Sequence, residues 1–162
     1  MDPQALELSK SSARLSVPYA GGLAVVFLVM GLVPCLGGCV NFLISLAGFV
    51  GVAYLITPKL TGFPTGQSKA MIALYIGLGV AVTVTVGFLI ASLIDGILGL
   101  AFTSLFRSSQ GVFGRAASGF VGLIIGLIVS LVWGLIAGTL LSFLGSYLAL
   151  DRNKSVEVAR PF

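Results

Sequence analysis

Asp95 is the only ionisable carboxylate inside the long apolar runs of this 162-residue chain. A charge in such a run is costly in lipid. It marks an ion or proton pathway, a polar contact with a partner, or a helix end at the membrane boundary. Gly96-Ile97-Leu98-Gly99 follows it, so its carboxylate could accept backbone N–H bonds and cap a new helical segment. As a lone carboxylate it has no base, nucleophile or metal partner with which to build a catalytic site. The chain has no histidine, which removes the commonest neutral-pH acid–base group and the commonest metal ligand. With two cysteines and no histidine, a four-ligand structural zinc site cannot be built within one chain. The expectation is a protein that is not an enzyme, with no catalytic, metal-binding or cofactor-binding residues.

The two cysteines, Cys35 and Cys39, flank Leu-Gly-Gly at an expected outer turn. They could pack as small apolar residues, pair as a disulfide in an oxidising compartment, or serve metal or redox chemistry with ligands from elsewhere. Leu36-Gly37-Gly38-Cys39 also resembles a bacterial lipobox, with basic Lys10 and Arg14 and an apolar stretch before it. The strongly apolar sequence from Val40 onward argues against that reading. Gly77-Leu78-Gly79 lacks the lysine–serine pair and the strand–turn–helix setting of a nucleotide loop.

Composition sets the environment of these residues. Hydrophobic residues make up 57% of the chain and charged residues 9%, where a soluble domain carries about a quarter charged. Mean hydropathy is +1.13. So few polar groups cannot cover a soluble surface, and the chain reads as an integral membrane protein. Its net charge of +4 fits basic residues flanking membrane spans rather than nucleic-acid binding.

Four apolar runs, 18–34, 40–57, 70–106 and 116–150, predict an all-α fold with four transmembrane helices in two hairpins, a short one over 18–57 and a long one over 70–150. Residues 1–162 form a single domain, with short polar tails at 1–17 and 151–162. The short hairpin offers each arm somewhat less than one full span. The long arms have 37 and 35 residues, about 50 Å each if fully helical, against a hydrocarbon core of about 30 Å. They must tilt, break or protrude against a partner. The Asp95-Gly96 pair is the expected break.

Lysine and arginine set the orientation. With both termini inside, the cytoplasmic face holds Lys10, Arg14, Lys59, Lys69, Arg152, Lys154 and Arg160, and the outside holds only Arg107 and Arg115. Tyr19, Tyr54, Tyr75 and Tyr147 then all fall near the cytoplasmic interface. The expected location is the cell (inner) membrane, multi-pass, with both termini cytoplasmic.

The strongest pattern is a glycine zipper in the fourth helix. Ser118, Gly122, Gly126, Ser130, Gly134, Gly138, Ser142 and Ser146 recur every four residues. The third helix carries a looser version: Gly79, Thr83, Gly87, Ala91, Asp95, Gly99 and Thr103. Small residues let helix backbones approach closely, which in lipid replaces the hydrophobic drive. Four residues turn a helix by about 400°, so the stripe drifts about 40° per step and needs more than one neighbour. Thr83, Thr85 and Asn41 read as hydrogen-bonding groups for the backbone or a neighbouring helix.

The functional expectation is a non-catalytic membrane subunit. It packs in a larger assembly of membrane subunits or self-associates as an oligomer among membrane lipid, without nucleic acid. No cofactor is predicted; lipid or an apolar pigment could sit between the helices. The alternative is a small oligomeric channel or transporter with Asp95 in its pathway.

Overall fold

The computed structural model describes residues 3–31, 37–61, 63, 67–106 and 112–152. Among them are four α-helices and no strand: α1 (Pro3–Gly31), α2 (Gly37–Ile56), α3 (Lys69–Phe106) and α4 (Val112–Arg152). Each contains a stretch long and apolar enough to cross a membrane. A helix satisfies its backbone polar groups internally, as lipid requires. A single 3-10 turn, Thr57–Lys59, follows α2 and carries Pro58.

The helices close a ring in which α1 packs on α3, α3 on α4, α4 on α2 and α2 on α1. Contacts fix the relative directions. Ala13 faces Thr83, Ala20 faces Gly87 and Phe27 meets Phe88, so α1 and α3 run parallel. Gly77 faces Phe143, Thr85 faces Gly134 and Gly96 faces Leu123, so α3 and α4 run antiparallel. Phe42 meets Trp133, Phe49 meets Gly138 and Val50 meets Gly145, so α2 and α4 run parallel. The core between them holds Phe49, Val52, Ile56, Ile76, Val80, Val84 and Phe88. The Phe88 ring joins three helices, with centroids 5.1 Å from Phe27 and 5.9 Å from Phe49.

Two sequence expectations change. Helix α1 starts at Pro3, inside the segment read as a polar tail. Ala5, Leu8, Ser12, Ser16 and Ala20 are all buried. They recur at spacings of three and four, the signature of one helix face, but four of the five are small or polar and the stripe is faint in composition. The second change is in α3, which runs without interruption through Asp95 and Gly96 to Phe106. Gly96 admits a neighbour instead of ending the helix: a Cβ there would lie 2.5 Å from Leu123 Cδ1.

Beyond the Phe27–Phe88 and Phe42–Trp133 contacts, α3 and α4 continue as a two-helix arm. Its Ile90, Ile97, Ile124, Ile125 and Ile128 are exposed.

Glycine contacts generate the first prediction. A Cβ on Gly145 would collide with the Val50 carbonyl of α2, whereas one on Gly51 meets nothing within 4 Å. Gly145→Ala should therefore destabilise the fold by about 1–3 kcal/mol through overpacking. Gly51→Ala should be neutral or stabilising by up to about 1 kcal/mol, because alanine loses less backbone entropy in a helix. Thermal unfolding of both variants in detergent checks this; equal midpoints would refute the packing account.

Candidate functional site

The small-residue stripe of α4 splits into two halves. In the half nearer the C-terminus, Gly134 receives the Thr85 side chain of α3 and Gly138 receives the Phe49 ring of α2. Ser142 is buried and donates a hydrogen bond to the Phe49 carbonyl at 3.3 Å. Ser146 is fully buried, and its hydroxyl has no hydrogen-bond partner. In the other half, Gly122 and Gly126 have open space where a Cβ would be, and Ser130 is exposed. Ser118 lies in α4, but its side chain is outside the described residues.

The looser stripe of α3 splits similarly. Gly79 takes the Ser9 carbonyl and the Ser12 side chain of α1, and Gly87 takes Ala20. Thr83 donates to the Gly79 carbonyl at 3.0 Å and reaches the Ala13 carbonyl of α1 at 3.4 Å. Ala91 is buried. Further along, a Cβ on Gly99 would meet nothing within 4 Å. The Thr103 and Asn41 side chains lie outside the described residues.

Several packing residues escaped the sequence reading. Gly77 faces the backbone of Phe143, and Gly145 faces that of Val50. The line that α4 presents to α2 runs 138, 142, 145, a spacing of four and then three. That is the true helical period, and a strict four-residue search drifts off it. Thr85, read from the sequence as a hydrogen-bonding group, is instead buried against Gly134 with its hydroxyl unpartnered, so it serves packing alone. Ser12 donates to the Ser9 carbonyl at 2.8 Å and approaches the Ile76 carbonyl at 3.4 Å.

Asp95 sits inside α3 and is half-buried. A cap residue must be non-helical, so the capping role expected for it falls away. No hydrogen bond or ion pair joins it to a described residue. Cys35 lies outside the described residues, and Cys39 is in α2 with its side chain undescribed, so the pairing question lies there too. No group of three or more Cys, Asp or Glu among the described residues could hold a metal ion.

Polar pairs gather at the opposite end from the arm. Lys59 Nζ donates to the Tyr19 hydroxyl at 2.6 Å, and Arg152 Nη1 donates to the Tyr54 hydroxyl at 2.7 Å. Lys69 lies 3.8 Å from Asp151. Such exposed contacts contribute roughly 0–1 kcal/mol each.

The chain matches no family model, no curated protein and no solved structure. What it does must therefore be argued from its own geometry.

Since Asp95 neither caps a helix nor pairs with a described group, its loss should not weaken the isolated chain. Asp95→Asn and Asp95→Leu should both unfold in detergent at or above the parent's temperature. A drop in either midpoint would reveal an internal contact for the carboxylate.

Proposed function

We propose that this chain is a non-catalytic, multi-pass subunit of the cell (inner) membrane that works by packing. It self-associates or joins a larger membrane assembly through the distal arm of α3 and α4. Two helical hairpins with small-xxx-small contacts form the membrane domain, and grooves between helices hold lipid or an apolar molecule. The observation that carries this reading is the split of the α4 stripe. Its inner half is consumed within the chain, while Gly122, Gly126 and Ser130 face outward without a neighbour. Exposed small residues leave a helix backbone open to close approach by another helix.

The split separates fold from assembly. Gly134→Leu would strike Thr85 and should cost about 1–3 kcal/mol of fold stability. Gly126→Leu should leave the unfolding temperature unchanged and abolish association, read by sedimentation in detergent. Association that survives Gly126→Leu would defeat the proposal.

Both termini are proposed to be cytoplasmic, from the seven-to-two asymmetry of basic residues. In a background with Cys35→Ala and Cys39→Ala, an impermeant thiol reagent should label Ser109→Cys in intact cells and leave Gly66→Cys untouched. The reverse pattern would invert the topology.

One observation favours a second reading, an oligomeric channel or transporter: Asp95 is a half-buried carboxylate without a described partner in an apolar helix. Ion flux in liposomes that vanishes in Asp95→Asn would establish that reading over the first.

A further inference from the structure

The four helices offer the bilayer very different apolar lengths. α3 and α4 have 38 and 41 residues, about 57 and 62 Å long at the helical rise. α1 has 29 residues, but Gln4, Glu7, Lys10 and Arg14 occupy its first half. Its uninterrupted apolar stretch runs only from about Pro18 to Gly31, roughly 20 Å.

Three contacts fix where the polar half of α1 sits. The Ser12 hydroxyl lies 3.4 Å from the Ile76 carbonyl, Thr83 reaches the Ala13 carbonyl, and Gly79 is seated on Ser9 and Ser12. Lys10 and Arg14 are exposed on the opposite face of α1. They therefore stand level with Ile76 to Thr83, about 10–20 Å along α3 from Lys69. At that same level the outer faces of α3 and α4 expose Leu74, Leu78, Val82, Leu140 and Leu144. One side of the molecule is charged where the other side is apolar. A flat membrane boundary cannot satisfy both.

The charged side has the chemistry of a headgroup layer. Lys10 pairs with Glu7 at 3.6 Å, both exposed. Arg14 has no ion-pair partner among the described residues. Lys59 is held near this face by the Tyr19 hydroxyl, 5.3 Å from the ring centroid. Three cations thus stand against one carboxylate. Leu6, Leu15 and Val17 are exposed between them, the mixture found on helices lying at a lipid–water interface.

We infer that anionic phospholipid headgroups seat on Lys10, Arg14 and Lys59, and that the bilayer is thinned on the α1 side. Along α3 and α4 the hydrocarbon reaches to the level of Leu78 and Leu144, while on the α1 face it stops near Tyr19, which stands about 13 Å further along α3 because Ala20 packs on Gly87. The short apolar length of α1, roughly 20 Å, matches the thinned side, and a membrane meets such a mismatch by thinning and by helix tilt. The inference does not depend on the assembly proposed above.

The full chain, with Cys35→Ala and Cys39→Ala, would be reconstituted in phosphatidylcholine bilayers with and without phosphatidylglycerol. It would carry single spin labels at Ser11, Leu78 or Leu144. A water-soluble nickel chelate should relax the Ser11 label, while oxygen dissolved in lipid should relax the other two. Oxygen-only relaxation at Ser11 would overturn the thinning. So would shielding from both reagents, since a second copy or another protein would then cover α1. Retention of phosphatidylglycerol should fall about fivefold in Lys10→Gln and in Arg14→Gln, the equivalent of ~1 kcal/mol per basic residue near an anionic surface. Lys10→Arg should retain it. Unchanged retention in both glutamine variants would refute headgroup binding.

Discussion

Close backbone approach at missing side chains governs this molecule. In a chain with 57% hydrophobic residues, nearly every helix face is apolar, so burial of oily surface cannot select which faces meet. Lipid tails compete on equal terms with any neighbouring helix. Selection falls to the places where two backbones can touch. Gly79 sits on the Ser9 carbonyl, Gly145 on the Val50 carbonyl and Gly77 on the backbone of Phe143. Backbone atoms cannot move aside by changing rotamer, so these contacts admit one stagger and no other.

The ring of helices and its offsets follow from these contacts. Gly79 and Gly87 hold α1 against the first half of α3, which brings Ser12 and Thr83 within reach of carbonyls on the facing helix. Gly138 and Gly145 bring α2 onto α4, which lets Ser142 reach the Phe49 carbonyl. Phe49 and Phe88 then fill the space between the two parallel pairs. The ionic and tyrosine contacts at the helix ends are exposed, so they mark the end of the bundle more than they hold it.

The same stagger leaves the distal parts of α3 and α4 uncovered. Glycines used inside the bundle and glycines open to the surroundings belong to one continuous stripe, and only the reach of α1 and α2 divides them. Asp95 lies near that division. It follows the core face Val80, Val84, Phe88, Ala91 by one turn and is half-buried where those positions are buried. A proposed role in assembly or in ion passage both start from that position.

Four helices long and apolar enough to cross a membrane were legible in the sequence, because that depends only on local hydropathy and run length. The stripe on α4 could be read from periodicity, which reveals which residues share a face, but among its described side chains only those of Gly134, Gly138, Ser142 and Ser146 are buried. Periodicity does not reveal which face meets which helix. The Ser12–Ile76 approach joins residues 64 positions apart, and nothing local to either predicts it. For that reason the polar start of the chain read as a tail, although Ala5, Leu8, Ser12 and Ser16 line the buried side of α1. Asp95-Gly96 read as a break for a related reason: the local preferences of Asp and Gly are the same at a helix end and beside a tightly packed neighbour. Leu123, seated at Gly96, decides between them, and only the tertiary structure brings it there.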